Sequence, residues 1–286
     1  MSIFISHLRY WIGVIRNYLV ARRIRIEKAA TKYHFEEVGD EQLRKRLLSM
    51  DIGDLRAQLL EGTVTSVQLV HLYSQRCYTI DRELNLSAQE LFNDALKLAA
   101  ERDAERADAI KNGTQDQLPY LHGIPISVKD LFSQKGYPAT CGCAMRNQIE
   151  TEDSACVVPL LEAGAIPIVR GNVPQLCTSI HSYNRMYGEA KNPHDRKRSC
   201  GGSSGGDAGL VAACCVPIAL GTDLGSSIRI PAAFNGIYGF KPTQGRLPTR
   251  GQNLARFSYD LTEAHFVPSP GPLGKSVRDL IEFFKI

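Results

Sequence analysis

Hydrophobic and polar positions divide the chain into an apolar, charge-interrupted N-terminus and a longer body in which helical and strand patterns alternate. Residues 1–20, MSIFISHLRYWIGVIRNYLV, form the most apolar end, and the basic run Arg22-Arg23-Ile24-Arg25 follows. His7, Arg9, Arg16 and Asn17 interrupt it. A charge well inside a bilayer costs several kcal/mol, so a spanning helix is disfavoured. On a helix Arg9 and Arg16 share a face, with Phe4, Leu8, Trp11, Ile15 and Leu19 elsewhere, a pattern that predicts an interfacial amphipathic helix over residues 1–27. A helix packed on the protein itself is the competing expectation. The segment lacks the basic start and small-residue cleavage site of a signal peptide.

From Asp51 the apolar spacing is helical: Leu55, Leu59 and Leu60 share a face and Gly62 is placed to end the helix. Thr65-Ser66-Val67-Gln68 has the form of a capping box and predicts a second helix running through Arg76. Leu86 to Asn112 reads as one long charged helix or a pair, closed by Asn112-Gly113, with Glu101 to Asp108 as a solvated face. Ile124 to Val128 is a short apolar run of strand type, and Ile166 to Val169 another. Asp153-Ser154 is expected to cap a helix ending at Glu162. The stretches 184–193 and beyond Thr243 read as loops lining a pocket. Alternation of strands and helices predicts an α/β fold in one large domain, residues 28–286.

Composition narrows the picture a little. At 286 residues and 43% hydrophobic content the chain can bury a sizeable core. Its net charge of +4 is too small and too dispersed to point to nucleic acid. The eight cysteines include no CxxC; Cys141-Gly142-Cys143 and Cys214-Cys215 are too close for a zinc site, and Cys156, Cys214 and Cys215 sit in apolar context. They predict reduced thiols, no metal site and a cytosol-facing protein.

Candidate chemistry concentrates between Lys197 and Thr243. Two glycine-framed serine clusters, Gly201-Gly202-Ser203-Ser204-Gly205-Gly206 and Gly225-Ser226-Ser227, flank an uncharged run from Leu210 to Leu220. Glycine permits positive φ and close backbone approach, so two such loops, one helix and one strand apart, can face each other across a pocket. Serine hydroxyls among closely packed backbone N–H groups suit acyl chemistry, with nucleophile and oxyanion donors in one place. A flexible linker would instead be polar throughout. Nucleotide binding is not supported, because no GxxxxGK[ST] motif occurs.

This stretch resembles the amidase signature, and Gly123-Ile124-Pro125-Ile126-Ser127-Val128-Lys129-Asp130 resembles that family's lysine strand. The resemblance runs from about Ile52 to the end of the chain. It implies an α/β fold, a mixed β-sheet covered by helices, and hydrolysis of amide bonds without a cofactor. It also implies a triad of Lys129, Ser203 and Ser227, the serines being 24 positions apart as in the family. Ser227 attacks the acyl carbon, Ser203 relays the proton to a neutral Lys129, and the peptide before Ser203 is cis. Lysine serves as a base only if desolvation lowers its pKa; an isolated strand-end lysine is ordinarily solvated. The N–H groups of Leu224, Gly225, Ser226 and Ser227 are the implied oxyanion hole, Asp223 and Arg229 the implied brace of that loop, and Cys177 and Thr178 implied substrate contacts. Asp207, directly after the first serine loop, leans toward the fatty-acid amide hydrolase branch, which carries an acidic residue there. That branch is membrane-associated, so the resemblance implies a lipid acyl amide substrate at an intracellular membrane surface, with a homodimer left open.

Two features depart from the family. Ser226 stands where a second glycine is usual; if that position needs φ > 0, serine there costs roughly 1 kcal/mol. Family members also continue beyond the motif Gly271-Pro272-Leu273, so the fold is expected to be incomplete at the C-terminus, with an open pocket that lets water reach Lys129. The alternatives to the hydrolase are therefore an amidase of the glutamine-amidotransferase type, which needs partner chains, and an inactive, lipid- or partner-binding remnant.

Overall fold

The computed structural model describes residues 2–253 and 268–286 of the chain, with side chains from Ser6 onward. Its central strands are β1 (Ser87–Glu90), β2 (Pro125–Lys129), β3 (Ile166–Gly171), β6 (Ile218–Asp223), β7 (Tyr238–Gly239) and β8 (Ser269–Gly274). They form a six-stranded mixed sheet in the order β1-β3-β2-β6-β8-β7. β2 runs parallel to both β3 and β6, while β1, β7 and β8 pair antiparallel to their neighbours. β4 (Tyr183–Asn184) and β5 (Gly188–Glu189) make a separate hairpin that overlaps the expected 184–193 loop.

Every residue of β2, β3 and β6 is buried. That explains their continuous apolar runs, because strands covered on both faces need no polar alternation. The covering helices are α2 (Glu41–Ser49), α3 (Ile52–Leu60), α4 (Ser66–Leu84), α5 (Phe92–Lys111), α6 (Val157–Glu162), α7 (Gly205–Ala212), α8 (Arg229–Asn235) and α9 (Val277–Phe283). One core cluster joins them to the sheet, with Leu55, Leu69, Tyr73, Phe92, Ile126, Val128, Ile168 and Leu220 among its members. The expected α/β class, with helices over a mixed sheet, is the observed one.

Helix ends follow the sequence in some places and not in others. Thr65 caps α4 through the Gln68 N–H, and the Gln68 side chain returns the bond to Thr65. The helix runs on to Leu84, beyond Arg76, because Leu69, Leu72, Tyr73, Cys77 and Leu84 keep one face in the core. The expected helix over residues 86–112 begins with a strand instead. Ser87 donates its N–H and hydroxyl to the buried Asp81 carboxylate, and β1 pairs with β3 at the sheet edge. Phe92 then opens α5, which ends at Asn112-Gly113 as read. Asp153 does not cap α6: its carboxylate takes the Lys135 N–H, and Cys156 occupies the cap position without a side-chain bond.

α1 (Ser2–Ala30) behaves as two halves. Leu8, Tyr10, Trp11, Ile12, Ile15, Tyr18 and Leu19 are exposed. Ala21 packs with Ala88, Met186 and Tyr187, and the Lys28 ammonium reaches the Ser87 carbonyl and the Asp81 carboxylate, each at 2.6 Å. Among the described residues no helix is long and apolar enough to cross a membrane.

Candidate active site

Lys129 closes β2 at the middle of the sheet and is fully buried. Its Nζ lies 2.8 Å from Ser203 Oγ and 2.8 Å from Thr222 Oγ1, with the Thr222 carbonyl at 3.5 Å. Desolvation pushes its pKa below that of a free lysine, although Cys177, Asp207, Cys141 and Asp223 act in the opposite sense. The expectation that water reaches this lysine is therefore corrected. Ser203 and Thr222 contact the amine directly, and the whole residue is out of reach of solvent.

Ser203 lies in the loop that precedes α7, and the Gly202–Ser203 peptide is cis. Gly201 at φ 76° and the flat approach of Gly202 to the Ser179 carbonyl, where a Cβ would stand 2.8 Å away, account for the glycines before it. Gly205 donates to Ser182 Oγ at 3.1 Å, and Ser204 Oγ lies between the Thr222 N–H and carbonyl. The second serine cluster follows β6. The Ser204 N–H donates to the Ser227 carbonyl at 3.1 Å, which fastens the two loops together. Ser227 is partly buried, while Leu224 and Gly225 are exposed on the outer edge.

Ser226 has φ 78°, the left-handed region in which serine is disfavoured and glycine is not. Its N–H donates to Asp223 Oδ1 at 2.7 Å, which helps hold it there. Asp223 accepts as well from the Ile228 and Arg229 N–H groups and from two guanidinium nitrogens of Arg229, both at 2.9 Å. Burial alone would raise the Asp223 pKa; Arg229 and the three backbone donors outweigh it and hold the carboxyl below its ordinary value.

Cys177 sits half-buried at φ 56° in the turn after β3, and Thr178 beside it is exposed. The Leu176 N–H donates to the Cys141 carbonyl at 2.7 Å, tying this turn to the loop after β2. Next to it lies a cavity of about 520 Å³, lined by Gly142, Cys143, Gln175, Asn184 and Met186 on one side and by Val14, Tyr18, Ala21 and Arg25 of α1 on the other. The loop 184–193 does line a pocket through Asn184 to Gly188, and Leu247 and Pro248 beyond Thr243 line a smaller one of about 110 Å³. All eight cysteines are free thiols, and among the described residues no group of three or more His, Cys, Asp or Glu could hold a metal.

Sequence reasoning passed over Thr222, Ser127 and Gly171. Thr222 is the residue before Asp223, and its hydroxyl is as close to the lysine as Ser203's. A hydroxyl inside the apolar strand ahead of the second serine loop was the available signal. Ser127 shares Lys129's face of β2, two positions earlier, and donates to Asp207 Oδ1 at 2.7 Å.

The fold is thus of the α/β class, with a buried lysine on β2 whose amine touches Ser203 in the first serine loop and Thr222 on β6, the strand that leads into the second. The chain belongs to the amidase family, whose profile matches residues 68–286. It is similar to fatty-acid amide hydrolase 2-A of Danio rerio, 37% identical over 209 residues, which are 72% of this chain and 39% of that one. It is also similar to a component of the glutamyl-tRNA(Gln) amidotransferase of Renibacterium salmoninarum, 36% identical over 82% of this chain and 42% of that one. A solved fatty acid amide hydrolase superimposes with a TM-score of 0.77 at 27% identity, covering 85% of this chain and 41% of its own. The chain spans about two-fifths of the length of the curated relatives it matches.

Proposed function

We propose that the chain carries the reacting groups of an amide hydrolase that works through an acyl-serine, with lipid acyl amides as substrates at a membrane surface. The observation that carries this reading is the fully buried Lys129 Nζ at 2.8 Å from Ser203 Oγ. A neutral amine has two N–H donors and one lone pair. With Thr222 Oγ1 and the Thr222 carbonyl taking the donors, the lone pair is left for the Ser203 hydroxyl. Ser203 passes on the proton of Ser227, whose Oγ attacks the acyl carbon. The N–H groups of Leu224, Gly225 and Ser227 receive the oxyanion; that of Ser226, expected to join them, is instead taken by Asp223, which with Arg229 braces the loop. The proton on Lys129 returns through Ser203 to the leaving amine, and water then releases the acid by the same route.

The Cys177–Thr178 turn and the cavity beside it are the proposed acyl contacts. The exposed apolar half of α1, followed by Arg22, Arg23 and Arg25, is the proposed membrane contact. Similarity to an amidotransferase component gives a second reading, in which glutamine is the amide. Ammonia release from a long-chain primary acyl amide, from acetamide and from glutamine, measured with anionic vesicles present, separates the two. Turnover of the long-chain amide above the others is expected. Turnover of glutamine alone would transfer the site to the second reading, and release from none would refute both.

A further inference from the structure

Asp207 lies in the first turn of α7, fully buried, four positions after Ser203. One oxygen accepts the Ser127 hydroxyl at 2.7 Å; the other, Oδ2, has no hydrogen-bond partner among the described residues. An unpaired buried carboxylate oxygen is costly and needs a reason.

Its position supplies one. On β3, Gly171 is the register partner of Lys129 on β2. A Cβ on Gly171 would fall 2.1 Å from Asp207 Oδ1 and 2.4 Å from Oδ2. The carboxylate therefore fills the gap left by a glycine one strand over from the lysine, at the lysine's own level. It lies over the same sheet face, since Ser127 and Lys129 alternate to one side of β2. The other ionisable groups around the pair are Arg170, paired with Asp130; Asp223, paired with Arg229; and the Cys141 and Cys177 thiols.

We propose that Asp207 is a positioning residue that sets the proton affinity of Lys129, its carboxylate being the buried counter-charge for the lysine cation. When the Ser227 proton moves through Ser203 to Nζ, a cation forms at a fully buried position, and the Asp207 carboxylate, in the gap at Gly171 one strand over, balances it. Burial pushes the Asp207 carboxyl up to about 7, while the Ser127 hydroxyl and the Lys129 charge pull it the other way. The inference rests on Lys129 being the base, as proposed above.

The test is a titration of Lys129 in the full chain by NMR of lysine labelled with ¹³C at Cε, the resonance being assigned with Lys129→Met. Asp207→Asn keeps an oxygen for the Ser127 hydroxyl and deletes only the charge; Asp207→Ser repeats the measurement if the asparagine variant does not fold. The Lys129 midpoint is expected to fall by about one pH unit. The pH of half-maximal labelling of Ser227 by a fluorophosphonate is expected to fall with it. A structural role for Asp207 would move neither. A midpoint that is unchanged or raised overturns the inference. A shifted midpoint in a protein that never labels supports the charge coupling and overturns the hydrolase reading instead.

Discussion

At the scale of single residues, Lys129 and Ser226 carry conflicts that can be measured. The folded state holds Lys129 below its ordinary pKa of 10.5 and so binds fewer protons than the unfolded chain between those two values. Stability therefore rises with pH across that window, and at neutral pH the buried amine is a net cost. Lys129→Met is expected to raise the melting temperature at pH 7, with the gain shrinking as pH approaches about 10. A variant that melts lower than wild type at pH 7 would show that the bonds to Ser203 and Thr222 outweigh desolvation. Ser226, at φ 78°, is the second conflict. Ser226→Gly relieves a cost of about 1 kcal/mol and gives back part of it as chain entropy. The expected net gain is about 0.5 kcal/mol, with faster labelling of Ser227, read by denaturant melts and probe kinetics. Ser226 was visible in the sequence because glycine framing marks backbone that cannot be ordinary, and Lys129 through the resemblance of its strand to the amidase motif. Thr222 and the contact between Ser127 and Asp207 were not visible. A single hydroxyl inside an apolar strand has no period, and its partner lies on an element distant in sequence.

At the scale of elements, ends with a local chemical signature were legible and those set by tertiary pairing were not. The capping box of α4 is contained in four residues, and both reciprocal bonds form. Thr65→Ala is expected to lower stability by about 1 kcal/mol, and Thr65→Ser by much less, in urea melts. β1 shows the opposite case. Ser87-Ala88-Gln89-Glu90 lacks the β-branched residues of a strand, lies between two helices and reads as helix. It is extended because Asp81 takes the Ser87 N–H and because β3 offers an edge. α6 likewise loses its expected cap because the Asp153 carboxylate is claimed by Lys135. Competition of this kind depends on which loops the fold brings together.

At the scale of the molecule, the site stands at the junction of β2 and β6, the parallel centre of the sheet, with both serine loops at the ends of strands or helices fixed by the core. α1 is the part whose place was hardest to read: its second half packs on the protein, and its exposed first half is the proposed membrane contact. Ala21 and Lys28 dock its second half, and its first half leaves Trp11, Ile12 and Ile15 exposed. Removing residues 2–13 is expected to abolish sedimentation with anionic vesicles while changing the melting temperature little, because the docked half stays in place. Full retention on vesicles, with aggregation excluded, would remove α1 as the membrane contact.

The central claim is that Lys129, Ser203 and Ser227 form one acyl-transfer site, and active-site labelling tests it most directly. The chain is treated with a fluorophosphonate and the adduct is located by mass spectrometry. A single adduct on Ser227 is expected, absent in Ser227→Ala and formed at least about a hundredfold more slowly in Lys129→Ala, the usual loss when a general base is removed. A folded chain that takes no label, or one labelled equally well in Ser227→Ala, would contradict the account.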